Sequence, residues 1–114
     1  MKKNERLRLY EGMYILNATL SEDARKKALE KITQSIIEKG GEIHKIHERG
    51  RQRFAYEINR KREGFYYVIY FSLGSTLVSE LWKEYHLHED LIRYLTLSAE
   101  EVRETLEFQP LKLV

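Results

Sequence analysis

An α+β fold of four strands and two helices, in the order β-α-β-β-α-β, is what this sequence predicts. Three observations carry that prediction. Four stretches are dense in aromatic and β-branched residues, two others place apolar residues at helical spacing, and glycines fall where one pattern gives way to the next.

The elements follow in order. Within LRLYEGMYILNATL the first strand runs from Arg8 to Asn17. Ser21 then stands at a helix N-cap, with Glu22 and Asp23 complementing the dipole of the first turn. Leu29, Ile32 and Ile36 recur at helical spacing beside Ala28, and Gly40-Gly41 stops the helix. Glu42 to Ile58 reads as a long second strand. Ile43 and Ile46 are three apart, which breaks alternation, and with Gly50 they predict a bulge or kink. Phe54, Tyr56 and Ile58 alternate beyond it. NRKREG supplies a polar hairpin turn and FYYVIYFSL a third strand. Gly74-Ser75-Thr76 precedes a short helix containing Leu77, Val78, Leu81, Trp82 and Tyr85. A loop through His86 and His88 leads to the last strand, Leu91 to Leu97.

This order is the split βαβ arrangement of ferredoxin-like domains. Right-handed crossovers place both helices on one face of a four-stranded antiparallel sheet, and the other face is expected to stay open. Residues 8–99 form a single domain, preceded by a basic arm (1–7) and followed by a tail (100–114). Pro110 discourages a helix in that tail. Leu106, Phe108, Leu111, Leu113 and Val114 are more apolar than a free end needs, which suggests a strap onto a partner.

Composition narrows the function. A chain of 114 residues with 42% hydrophobic residues can bury one sizeable core. Cysteine is absent, which excludes disulfides and thiol chemistry and fits a reducing cytosol. No apolar run approaches the ~18 residues of a membrane span, and MKKNERLRLY lacks the apolar centre of an export signal. Net charge is only +2, but cations cluster: Lys2, Lys3, Arg6 and Arg8; Arg49, Arg51 and Arg53; Arg60, Lys61 and Arg62. Contact with phosphate would run through such patches rather than a global field.

The run REGFYYVIYF, residues 62–71, resembles the aromatic octamer K/R-G-F/Y-G/A-F-V-x-F/Y of RNA-recognition modules. Strand parity decides whether it is a base-stacking platform. Phe65, Tyr67, Ile69, Phe71 and Leu73 form one all-apolar set that should face the helices. The two rings in stacking positions, Phe65 and Tyr67, belong to it. In the first strand Tyr10, Gly12, Tyr14 and Leu16 form the matching inward set, so Tyr14 is expected in the core as well. The platform fails on register. Glu11, Met13, Ile15, Asn17, Tyr66, Val68 and Tyr70 should lie on the open face with Arg51 and Arg53, a patch apolar at its centre and charged at its edge.

Catalytic chemistry finds no support. The serines lie in caps, turns or a strand, without an activating elbow. His44-x-x-His47 points to opposite faces of a strand, and His86-x-His88 lacks a third ligand, so no metal site is expected. Gly40-Gly41 ends a helix rather than opening one on a phosphate. A ligand-sensing regulatory domain acting as a homodimer is an alternative that rests on fold analogy.

Four stretches, LYEGMYILNATLSED, Gly50 to Ile58 (G-x-x-R-F-A-Y-E-I), GFYYVIYFSL and EDLIRYLTL, together resemble the bacterial-type small-subunit ribosomal protein six family. The resemblance spans Leu7 to Ala99. It departs where Glu57 stands in place of the usual Pro, and at Ser98, where relatives can carry a lysine. It implies the ferredoxin-like fold and a structural, non-catalytic role in the ribosome of the cytoplasm, with no cofactor. That role is to bind the central domain of small-subunit (16S-type) rRNA together with small-subunit ribosomal protein eighteen. Carried over by position, Arg8, Tyr10, Arg53 and Arg93 are expected at the RNA, and Arg51 joins them on parity and charge. Met13, Tyr66, Val68 and Tyr70 form our candidate surface for the protein partner.

Overall fold

The computed structural model describes residues 6–58 and 60–104. The elements are β1 (Leu7–Asn17), α1 (Glu22–Glu38), β2 (Glu42–Ile58), β3 (Lys61–Gly74), a 3-10 turn (Ser75–Leu77), α2 (Val78–His86) and β4 (Leu91–Ser98). All pairings are antiparallel, in the order β2-β3-β1-β4, which is the ferredoxin-like arrangement expected. The tail residues Leu106, Phe108, Leu111, Leu113 and Val114, and Lys2 and Lys3 of the arm, lie outside the described residues.

Local chemistry explains the boundaries. The Ala24 N–H donates to the Ser21 hydroxyl oxygen at 3.2 Å, closing the start of α1. At its other end Gly40 takes φ +85°, the left-handed conformation that releases the chain into β2. The β2–β3 connection is tighter than expected. Ile58 already pairs with Lys61, so the charged residues 61–63 and Gly64 extend β3 instead of forming a loop.

β2 is irregular against β3 at three places, the last between Arg53 and Ile58 beside the hairpin turn. The register shifts between Ile43 and Lys45 and again between Glu48 and Gly50, where Gly50 has φ +77°. The sequence predicts a bulge or kink in this stretch, and the strand takes a shift at each of the two signals. The first accounts for the three-residue spacing of Ile43 and Ile46: an extra residue between them returns both to one face, opposite Phe71 and Ile69.

The main core lies between the sheet and the helices. Tyr10, Tyr14, Leu16, Tyr67, Ile69, Phe71 and Leu73 meet Ala28, Ile32 and Ile36 of α1 and Val78, Leu81 and Tyr85 of α2. The inward parity of the aromatic strands is therefore as expected. Tyr14 and Tyr85 share a hydrogen bond between their hydroxyls at 2.6 Å, with their rings edge to face. Burial pushes both phenols well above the usual tyrosine range.

The opposite face is not open in the way the alternation suggested. Ile15, Phe54 and Tyr66 form a second buried cluster there, with Ile58 and Ile92 packed against it. Residues 99–104 then cross the sheet from the β4 edge to the β2 edge. The Ala99 N–H donates to the Leu9 carbonyl, His47 Nε2 donates to the Arg103 carbonyl at 2.8 Å, and Lys45 pairs with Glu104 at 3.3 Å.

Candidate nucleic-acid interface

The arginines singled out from sequence are exposed but do not form one cluster. Arg93 lies opposite Ile15 in the β4–β1 register, and Arg51 and Arg53 lie opposite Phe65 and Glu63 in β3. All three are therefore toward the C-terminal end of β1. Arg8 pairs with Leu73 at the other end, roughly 23 Å along the strand at the usual rise per residue. Among the described residues Arg8, Arg53 and Arg93 make no ion pair, so their charges remain available to an anion.

One expectation about the arginines needs correction. Arg51 and Arg53 do not share the face of Tyr66 and Tyr70. The bulge before Gly50 shifts the register, and Arg51 falls opposite Phe65, on the helix side of the sheet. Arg51 there donates through Nη2 to the Ala18 carbonyl at 3.2 Å and reaches Glu63 at 3.7 Å. Tyr10, inward as the alternation of β1 predicted, is not a surface ring. It is 8% exposed and packs on Phe71 with ring centroids 5.7 Å apart, so it offers no free face to a base.

The candidate partner surface divides in two. Tyr66, Val68 and Tyr70 are 2%, 4% and 1% exposed, so the expectation of an open apolar patch at these positions is corrected. Phe54 covers Tyr66, with ring centroids 6.1 Å apart. His47 packs edge-on to Tyr70. Met13 is half-buried, and what is exposed beside it on β4 is Leu95 and Leu97. Burial raises the phenols of Tyr66 and Tyr70. The Arg93 charge offsets part of the effect on Tyr66, whereas the neighbouring Glu11 carboxylate adds to it at Tyr70.

A constellation that sequence reasoning missed sits at the helix-side rim. The Arg25 guanidinium lies 3.9 Å over the ring of half-buried Phe65 and donates through Nη1 to the Tyr67 hydroxyl at 3.3 Å. Arg51 approaches the same ring to 5.6 Å. The signal in the sequence was Arg25 itself, a cation near the helix N-terminus where the dipole disfavours one.

The histidines do not converge on a metal. His44 Nε2 bonds the Ser72 hydroxyl at 2.7 Å, and His47 is committed to Arg103. Among the described residues no three metal-ligating side chains come together, and no helix is long and apolar enough to cross a membrane.

What the described residues offer chemically is exposed guanidinium groups on a four-stranded sheet, with no nucleophile and base assembled among them. Comparison with known proteins agrees with that character. The family model described as Ribosomal protein S6 matches residues 9–98. The small ribosomal subunit protein bS6 of Chlamydia felis is 57% identical over 96% of this chain and 97% of its own. That of Protochlamydia amoebophila is 58% identical over 90% of each. The crystal structure of a 30S ribosomal protein S6 from Thermotoga maritima superposes with a TM-score of 0.78 at 34% identity, covering 82% of this chain and 89% of that one. Since the family model spans nearly the whole ordered sheet, and relatives more than half identical cover almost the full length, this chain belongs to the Ribosomal protein S6 family, whose members are structural proteins of the ribosome and not enzymes.

Proposed function

We propose that this protein is a structural component of the small ribosomal subunit that binds the central domain of its 16S-type rRNA together with small-subunit ribosomal protein eighteen. Family membership across residues 9–98 is the observation that carries this reading. The exposed arginines support it physically. Arg53 and Arg93, without carboxylate partners among the described residues, have guanidinium groups suited to phosphate oxygens; Arg51 stands near Arg53, and Arg8 adds a separate cation at the other end of β1. Such contacts position a protein on folded RNA, while the shape of the RNA supplies specificity.

The protein partner is assigned to the face that carries Met13, where Leu95 and Leu97 add exposed apolar surface at 48% and 51%. Tyr66, Val68 and Tyr70 lie beneath and act as the packed floor of that surface. The RNA assignment is tested by filter binding of the two-protein complex to rRNA across a salt series. Arg53→Ala and Arg93→Ala are each expected to weaken binding by about 1–3 kcal/mol and to flatten the salt dependence by about one phosphate. Unchanged affinity and slope in both variants would remove these two residues from the RNA surface.

A further inference from the structure

The glycine-led aromatic run that failed as a stacking platform has one ring that the main core leaves half-buried, Phe65. Two cations are gathered on it. Arg25 stacks at 3.9 Å and Arg51 stands at 5.6 Å from the ring centre, so the guanidinium carbons lie within about 10 Å of each other, one Debye length at moderate salt. Like charges held this close repel. Neutralisation is incomplete: Glu63 lies 3.7 Å from Arg51 Nε, near the outer limit of an ion pair, and Arg25 makes no ion pair among the described residues. Glu22 and Asp23 occupy the preceding turn of α1 but do not pair with it. Arg25 Nε is covered and lacks an acceptor.

Shielding of Phe65 alone does not explain this. A single aliphatic side chain would cover the ring without the electrostatic cost of two cations. Stacking by the face leaves the N–H edge of a guanidinium for in-plane hydrogen bonds, the geometry that suits phosphate. The bonds to Tyr67 and to the Ala18 carbonyl fix both side chains before any ligand arrives, which lowers the entropy lost on binding.

We propose that Arg25 and Arg51, braced on Phe65, form a further phosphate cradle for rRNA at the helix-side rim of the sheet. This rests on the rRNA-binding reading above and adds to it a contact on the face opposite Arg93. The ring acts as a brace for the cations and not as a platform for bases.

The test measures affinity of the full chain, complexed with small-subunit ribosomal protein eighteen, for small-subunit rRNA over a potassium chloride series. Arg25→Gln and Arg51→Gln remove the charge and keep a polar amide. Each is expected to weaken binding about tenfold and to lower the salt slope by about one. Phe65→Leu keeps apolar packing and is expected to weaken binding several-fold with the slope intact. Lys83→Gln on α2 should change neither quantity. Thermal melting checks that each variant is folded, and Arg25→Lys replaces Arg25→Gln if the latter melts early. Its point charge should keep the slope and lose affinity for want of the planar edge. Wild-type affinity and slope in the folded Arg25 and Arg51 variants would overturn the cradle and leave the rRNA reading standing. Absence of salt-dependent binding by the wild-type complex would overturn both.

Discussion

Tyr14 and Tyr85 place two phenols where neither can reach water, and each hydroxyl depends on the other. Removing one leaves its partner buried without a bond, which costs the desolvation of that group, about 1–3 kcal/mol. Tyr14→Phe is therefore expected to lower the unfolding free energy by that amount, seen as a lower urea midpoint at unchanged slope by circular dichroism. Gly12 makes the arrangement possible, since a Cβ there would stand 2.5 Å from the Tyr14 hydroxyl oxygen. The inward position of Tyr14 was legible from β1 alternation, because Glu11 and Asn17 mark the other side. Its partner was not legible: nothing local relates positions 14 and 85, which only the packing of α2 brings together. Arg25 on Phe65 was hidden for the same reason.

The loop between α2 and β4 shows how an element sets a titration. His88 packs against α1, where burial first and then the Lys31 charge hold its imidazole below the ordinary value of 6.5. Asp90 and a hydrogen bond with the Ala28 backbone oppose the shift. The unfolded chain thus binds more protons than the folded one just below pH 6.5. Stability from this group is complete above 6.5 and declines as pH falls toward the lowered folded value. A melting temperature that drops between pH 7.5 and 5.5 in the wild type, and drops less in His88→Gln, is the expected result. Glu84, held below its ordinary carboxylate value mainly by Lys39, loses its share in a separate window below about 4.5. Element order and most boundaries could be read from caps and glycines. The face of Arg51 could not, since a bulge reverses parity without changing composition, and the bulge near Ile43 left only a spacing of three as its trace.

Across the whole molecule, the crossing of residues 99–104 over the sheet turns an apparent two-layer domain into one with a partial third cover. Truncation after Ala99 removes the bonds from His47 to Arg103 and from Lys45 to Glu104 and uncovers Tyr70. The expected loss is about 1–3 kcal/mol, mostly from the newly wetted ring, because the exposed ion pair contributes little. Urea titration of the truncated chain checks it, and a midpoint equal to that of the full chain would mean the crossing is incidental. The strand order β2-β3-β1-β4 has a temporal consequence as well. β1 occupies an inner position, yet both of its neighbours are made later, and β4 comes last of all. A nascent chain carrying β1, α1 and β2 holds no native sheet pairing whatever, so cooperative folding waits for β3 and β4 to be made, with β1 exposed to chaperones until then.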